Sequence, residues 1–345
     1  MQDAIKVLIV DDAAFMRKAI VDVLKNDPQL TVVGTARNGE EGLHQIKALK
    51  PDVVTLDIDM PIMDGLTSIR HIMIESPVPI VVLSSLFSDG AITFDALRLG
   101  VVDFIPKPSG AVSTDIDRSR QALIDRIKLA SAVNMENIRR VRLPHWDVNE
   151  SLSAHYGFHQ LDYLLALGTT LSGPNTVIRL LSQLPPTLPA AVVAVQEISP
   201  KIVASFAKQF DRSVPWRVRE AEDGLELEQG TCYISPYERP VRIQPTANGT
   251  ACLKRSTDTA QPLDMLFASA AEVFQQNTVG VLLTGIGSDG ADGFAQIRQA
   301  SGVTLAQDTA CCVYPNLTHN AIQQGCVDIV LDERDLPQAI RSVMS

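Results

Sequence analysis

Short apolar runs alternate with amphipathic segments along the first third of the chain. The runs are rich in β-branched residues, lack a helical period and end at polar residues. Such runs predict strands buried on both faces, joined here by segments with helical spacing such as Ala13 to Leu24. The pattern therefore predicts a doubly wound (βα)₅ sheet of parallel strands. Its predicted strands include Ile5 to Val10, Leu30 to Ala36, Val53 to Leu56, Ile80 to Leu83 and Val101 to Ile105.

Polar residues at the ends of these strands form a first candidate site. The carboxyl ends of parallel strands lie along one rim of a sheet, where ligands bind in open α/β folds. Three carboxylates that lie close together repel one another unless a hard cation is present, and oxygen ligands suit Mg²⁺. A lysine and the metal would neutralise phosphoryl oxygens and leave one carboxylate free to attack phosphorus. The rim would hold Asp11, Asp12, Asp57, Ser84 and Lys107.

This set resembles the receiver domain of two-component response regulators. The resemblance implies that Asp57 accepts the phosphoryl group, that Asp12 binds Mg²⁺ directly and that Asp11 acts through water. Ser84 and Phe104 would form the hydroxyl and aromatic pair of the activation switch. In the alternative interpretation the acids only cap helices. Matching residues at the ends of successive strands favour the receiver.

A second α/β pattern begins at Leu161. Apolar strands again stop at glycine, hydroxyl and acidic residues, which predicts one pocket along a sheet rim. Between about Trp216 and Lys254 short β segments with Gly and Pro turns predict an antiparallel insertion. We therefore expect a second α/β domain with a mostly parallel sheet and a small antiparallel insertion. Its predicted parallel strands include Leu161 to Leu167, Ala190 to Gln196, Val279 to Leu283, Val303 to Ala306 and Asp328 to Leu331.

Length and charge agree with a two-domain protein that does not bind nucleic acid. The 345 residues are enough for two domains, and we place them at 1–125 and 161–345 with a helical linker at 126–160. The net charge of −10 argues against nucleic acid, which needs clustered cations. The amino terminus does not resemble a signal peptide, and no apolar run reaches the about 18 residues of a membrane span. We expect a cytoplasmic monomer without membrane insertion.

The spacing of the cysteines and of the linker histidines does not predict a second metal site. The five cysteines lack the spacing of a zinc site, so we expect free, mostly buried thiols. Histidines 145, 155 and 159 could suggest a metal site, but no cysteine or carboxylate cluster supports it. Solvated linker histidines are the favoured interpretation.

Nearly the whole chain resembles the chemotaxis receptor methylesterases of the CheB type. The resemblance implies removal of methyl groups from receptor glutamates, and in many members deamidation of receptor glutamines, by a serine, a histidine and an aspartate under control of the receiver. It also implies a chemotaxis histidine kinase and methyl-accepting receptors as partners. The matching segments are Asp103 to Pro108, Gly168 with Gly173-Pro174, Glu220 to Gly224, Tyr233 to Pro236, Leu283 to Ala291 and Leu305 to Asp308.

The departures from that family fall on its catalytic triad. Thr170 stands at the nucleophile position and Glu197 at the general-base position, whereas Asp289 is unchanged. A glutamate carboxyl has an unperturbed pKa of about 4.3 against about 6.5 for histidine, so it is the weaker base, and it cannot become a cation. Loss of the nucleophile or base of a serine triad costs on the order of 10⁶ in turnover. We therefore expect esterase chemistry that is weak or lost.

Three functions are compatible with this pattern. The first is a response regulator that acts by binding: it would compete for receptor tails, dock the kinase or take phosphoryl groups from it. The second is an active methylesterase or glutamine deamidase that uses Thr170, Glu197 and Asp289. The third is an unrelated hydrolase, for which the sequence names no substrate. Ser172 and His319 could rebuild a site, but a helix N-terminal residue and a surface side chain are the favoured interpretation.

Overall fold

The computed structural model describes residues 4–84, 89–107, 116–141 and 161–344. Histidines 145, 155 and 159 lie outside these ranges. The described residues form two compact units: 4–84 with 95–107 and 116–140, and 89–94 with 141 and 161–344. None of the helices in the described ranges combines the length and the apolar character that a membrane crossing requires. The five cysteines are free thiols, and all but Cys252 are buried.

The first unit contains the predicted doubly wound sheet. Its five parallel strands are ordered β2-β1-β3-β4-β5, which confirms the receiver-like fold. The strands are β1 (Ile5–Val10), β2 (Leu30–Ala36), β3 (Val53–Leu56), β4 (Ile80–Ser84) and β5 (Asp103–Pro106). The helices along this part of the chain are α1 (Ala14–Leu24), α2 (Gly39–Leu49), α3 (Gly65–Glu75), α4 (Gly90–Leu99) and α5 (Ile116–Ser131), followed by a 3₁₀ turn at Met135–Asn137.

Local chemistry explains where two of these helices begin. The Asn38 side chain accepts a hydrogen bond from the Glu41 amide at 2.9 Å, and Asp64 accepts one from the Thr67 amide at 2.7 Å. Both are N-cap contacts, which satisfy amides that have no partner within the helix. They therefore fix the starting points of α2 and α3.

The second unit is built on a seven-stranded sheet in the order β14-β13-β12-β6-β7-β9-β8, with a separate antiparallel pair. The strands are β6 (Tyr163–Gly168), β7 (Ala190–Gln196), β8 (Arg217–Glu220), β9 (Thr231–Pro236), β10 (Val241–Pro245), β11 (Ala251–Arg255), β12 (Thr278–Leu282), β13 (Val303–Gln307) and β14 (Ile329–Leu331). The helices are α6 (Gly173–Leu181), α7 (Val203–Asp211), α8 (Pro262–Phe274), α9 (Ala291–Gln299), α10 (Asn316–Gln323) and α11 (Leu336–Val343), with 3₁₀ turns at Gln275–Asn277 and Thr309–Cys311.

The antiparallel insertion is smaller than the sequence pattern indicated. Among the described strands only β10 and β11 pair antiparallel, whereas β8 and β9 run parallel to the main sheet and extend it beyond β7. Every residue of β9 is buried, and β9 pairs with a strand on each side. A strand buried on both faces belongs inside a sheet. The mostly parallel sheet with a small antiparallel element is confirmed.

Helices α8 and α9 pack closely on one face of this sheet. The rings of Phe267 and Phe294 lie with centroids 4.8 Å apart, and both are fully buried. A Cβ atom at Gly293 would lie 2.8 Å from the Asp264 carbonyl oxygen. The glycine therefore permits a close approach of the two helices. This approach brings their N-terminal ends together beside the candidate triad.

Candidate functional site

Three carboxylates meet at the rim of the first sheet. One oxygen from each of Asp11, Asp12 and Asp57 lies within 4.8 Å of the others. Asp11 and Asp57 are buried and Asp12 is exposed. Main-chain amides orient the two buried acids: Ala13 donates to Asp11 Oδ1 at 2.9 Å and Ile58 donates to Asp57 Oδ1 at 2.8 Å. The arrangement leaves the second oxygen of each buried acid turned toward the cluster.

Lys107 connects the two buried acids. Its Nζ lies 2.8 Å from Asp11 Oδ2 and 2.7 Å from Asp57 Oδ2. Burial raises the pKa of Asp57, the charge of Asp11 raises it further, and the Lys107 contact opposes both. Burial acts to lower the pKa of Lys107, but its bonds to the two acids outweigh this and raise it. The ammonium therefore stays charged beside the carboxylate predicted to accept phosphate.

The donor set of this cluster fits a hard divalent cation. Three carboxylates face a single lysine ammonium, so the group retains excess negative charge in a partly desolvated place. Oxygen-only ligands of this kind suit Mg²⁺. Asp12 is the exposed member, whereas Asp11 Oδ2 is held by Lys107. This difference agrees with direct metal binding by Asp12 and an indirect role for Asp11.

The predicted switch residues lie on the two neighbouring strands. Ser84 is the last residue of β4 and is paired with Pro106, but its side chain lies outside the described part of the chain. Phe104 lies on β5 and is half-buried. Arg17 was not predicted: its Nη1 donates to the carbonyl oxygens of Asp11 at 2.7 Å and Asp12 at 3.0 Å. Its position on α1, just after the acidic pair, was the only sequence signal.

In the second unit, Thr170 lies beyond the end of β6, and its hydroxyl is held by one backbone segment. Thr170 Oγ1 donates to the Ile286 carbonyl oxygen at 3.0 Å and accepts from the Ile286 amide at 2.8 Å. The side chain is buried. No hydrogen bond to Glu197 occurs among those of this hydroxyl in the described structure. The proton of Thr170 thus points to a carbonyl oxygen, which is not a general base.

Asp289 is part of a reciprocal contact between two helices. Its Oδ2 accepts from the Leu263 amide at 2.8 Å and its Oδ1 from the Asp264 amide at 3.0 Å, both in the first turn of α8. Asp264 Oδ1 in turn accepts from the Gly293 amide at 2.7 Å, in the first turn of α9. Carboxylates are stabilised at helix N-termini by unpaired amides and the helix dipole. The unchanged triad aspartate therefore has a structural task as well.

Tyr237, which was not predicted, completes the surroundings of Asp289. Its hydroxyl donates to Asp289 Oδ2 at 2.8 Å. Burial raises the pKa of the Tyr237 phenol well above its usual value, and its bond to Asp289 raises it further. The negative charges of Glu197 and Asp264 act in the same direction, which places both within electrostatic reach of the phenol. The sequence held no signal for this role, since the tyrosine directly follows an ordinary buried strand.

Ser172 and His319 have different environments. Ser172 is buried and immediately precedes α6, with a left-handed backbone φ of 64°. His319 is exposed on α10. The described structure contains no hydrogen bond between their side chains.

Comparison with known proteins gives matches to both halves of the chain. Residues 165–340 match a family model described as CheB methylesterase, and residues 7–114 match the response regulator receiver domain. A protein-glutamate methylesterase/protein-glutamine glutaminase from Oleidesulfovibrio alaskensis is 38% identical over 367 residues, which cover 99% of this chain and 99% of that relative.

A second relative also spans both halves, and a solved structure matches one of them. A protein-glutamate methylesterase/protein-glutamine glutaminase from Geobacillus kaustophilus is 39% identical over 345 residues, covering 97% of each chain. The crystal structure of the Thermotoga maritima CheB methylesterase catalytic domain is 28% identical, with a TM-score of 0.49, and covers 52% of this chain and 98% of that one.

Proposed function

Since the chain belongs to the CheB family of chemotaxis response regulators, with a receiver and a methylesterase domain, we propose that phosphorylation of Asp57 controls a second domain that binds methyl-accepting receptors and has weak or no esterase activity. A chemotaxis histidine kinase would donate the phosphoryl group. The proposal includes the boundaries 1–125, 126–160 and 161–345 and a cytoplasmic monomer.

The receiver part of the proposal rests on the acid cluster. The Asp57 carboxylate would attack phosphorus, while the Lys107 ammonium, 2.7 Å from Asp57 Oδ2, would move to the incoming phosphoryl oxygens. Mg²⁺ held by Asp12, Asp57 and, through water, Asp11 would supply further positive charge to those oxygens. Catalysis of phosphoryl transfer consists mostly of positioning and charge neutralisation, which are the roles that these groups would have.

One observation carries the claim of weak or lost hydrolysis. Both hydrogen bonds of the Thr170 hydroxyl go to the backbone of Ile286. A hydroxyl becomes a nucleophile when a neighbouring base removes its proton. Here the proton is directed at a carbonyl oxygen, and the residue at the base position, Glu197, is a weaker base than histidine. Binding of receptor segments needs no such activation, so it can persist without turnover.

The test is methanol release from methylated receptor by the full-length, phosphorylated protein. We expect the wild type to release no more methanol than the Thr170→Ala variant, and both to bind the receptor. Methanol release that disappears with Thr170→Ala would overturn the proposal and establish a threonine-based esterase. Receptor binding measured in the same samples distinguishes an inactive binder from a protein that no longer recognises receptors.

The second candidate function is an active methylesterase or glutaminase. Relatives of 38% and 39% identity carry that name, and they span nearly the whole chain. In this case Thr170 would need to leave Ile286 when substrate binds, because its proton must reach a base. Ammonia release from receptor glutamines, measured beside methanol release, separates deamidation from ester hydrolysis.

A further inference from the structure

Tyr237 occupies a defined place at the triad aspartate. The Oδ2 atom of Asp289 accepts two hydrogen bonds, from the Leu263 amide and from the Tyr237 hydroxyl, each at 2.8 Å. A carboxylate oxygen offers two lone pairs. The hydrogen bond from the Leu263 amide is part of the contact between α8 and α9, so it has a structural role. The remaining lone pair of Oδ2 is the one that Tyr237 takes.

The other oxygen of Asp289 is also engaged with the protein. Oδ1 accepts from the Asp264 amide at 3.0 Å, and the Asp264 side chain interacts with Asp289 as well. Asp264 is buried, and its own Oδ1 is bound to the Gly293 amide. The contacts with the Leu263 and Asp264 amides hold a helix end and the contact with Tyr237 does not, so displacement of the Tyr237 hydroxyl would give a new donor access to Asp289 without loss of a helix contact.

The tyrosine is held in this position from both ends. Its backbone amide donates to the Gln196 carbonyl oxygen at 2.9 Å, directly before Glu197. Its hydroxyl is a hydrogen-bond donor to a carboxylate in a place rich in negative charge, so it keeps its proton at neutral pH. A phenol in this state cannot act as a general base. Its role at Asp289 is that of a hydrogen-bond donor.

We propose that Tyr237 blocks access to the triad aspartate. Its hydroxyl occupies the hydrogen-bond acceptor site on Asp289 that a general base at position 197 would need. This inference rests on the proposed loss of esterase chemistry and adds a residue to its cause. In a serine triad the aspartate binds and orients the base. With Tyr237 on Asp289, a histidine at position 197 would lack that orienting contact. The substitutions at positions 170 and 197 would then not be the whole defect.

The test uses the imidazole introduced by Glu197→His as a reporter of access to Asp289. Its pKa is measured by NMR titration in the full-length protein, alone and combined with Tyr237→Ala. A carboxylate partner raises an imidazole pKa, so we expect the Tyr237→Ala background to raise it by about one unit relative to Glu197→His alone. Tyr163→Ala is the matched control, because Tyr163 lies at the start of β6, at the other end of the parallel strands, and should leave the titration unchanged.

An imidazole pKa that is the same with and without Tyr237, or that shifts equally with Tyr163→Ala, would refute the proposal that Tyr237 blocks Asp289. If Tyr237→Ala does not fold, Tyr237→Phe can replace it, because this variant removes only the hydroxyl. We then expect the imidazole pKa to shift in the same direction. Failure of the proposed function gives a different signal, because it requires Thr170-dependent methanol release by the wild-type protein. The two failures can therefore be told apart.

Discussion

Ser172 has a left-handed backbone conformation in the segment that follows Thr170. Its φ of 64° lies in the left-handed region, where a Cβ atom is unfavourable by roughly 1 kcal/mol. We predict that Ser172→Gly raises the free energy of unfolding by about 0.5–1 kcal/mol in urea titrations, since glycine adopts this conformation without strain. Ser182, with a φ of −68°, is the matched control at the other end of α6, and Ser182→Gly should be destabilising. Loss of stability at both positions would contradict the argument.

Asp264 makes the second domain sensitive to pH. Burial raises the pKa of Asp264 to about 6, and the charge of Asp289 adds to this against the lowering effect of the Gly293 amide. Because the folded-state pKa lies above the unfolded value, the contribution to stability is complete below about pH 4 and is lost as the pH rises through about 6.

The matching prediction is that the wild-type free energy of unfolding falls by about 2 kcal/mol more than that of Asp264→Asn over this pH interval. The amide oxygen of asparagine can still accept from Gly293, so the helix contact is kept. Asp162→Asn, at an exposed position directly before β6, should retain the wild-type pH dependence. Parallel pH profiles for wild type and Asp264→Asn would show that this carboxyl does not titrate in the interval.

At the scale of elements, a buried ion pair joins α6 to the segment before α11. Arg179 and Glu333 are both buried; Arg179 binds Glu333 through its Nε and, at 2.9 Å, through Nη2. Removal of one partner leaves a buried charge without compensation. We predict that Glu333→Ala lowers the free energy of unfolding by about 3 kcal/mol.

A partly exposed pair nearby serves as the control for this prediction. Asp332 binds the exposed side chain of Arg334 at 2.8 Å, and surface pairs contribute less than about 1 kcal/mol. Asp332→Ala should therefore cost much less than Glu333→Ala in the same denaturation assay. Equal losses would mean that the Arg179 pair is not the source of the effect.

At the scale of the whole molecule, the receiver prediction depends on one carboxylate. Asp57→Asn removes the nucleophile but keeps the shape and the Ile58 contact, so we predict that phosphoryl transfer from a labelled donor is abolished while the fold is retained. Asp59→Asn is the matched control, since Asp59 is exposed in the same loop and lies outside the cluster. Label that persists on Asp57→Asn would identify another acceptor, and circular dichroism checks the fold.

The altered triad positions came from the resemblance to the CheB family, whereas the sequence pattern by itself determined the two α/β domains and the rim of the receiver. These features are local: a buried strand has a recognisable pattern, and parallel strands bring their carboxyl ends to one edge, so Asp11, Asp57 and Lys107 could be placed together without coordinates. The same reasoning could not assign β8 and β9 to the main sheet, because the pattern of a short strand does not indicate which strands it pairs with.

Only the tertiary structure decided which side chains surround Asp289. Tyr237 contacts it across 52 residues of sequence, and Arg179 contacts Glu333 across 154. Such contacts depend on how helices pack on the sheet, which is set by many side chains at once and has no period along the chain. The altered triad positions could therefore be identified from the sequence, whereas the hydrogen bond from Tyr237 to Asp289 could be identified only from the folded structure.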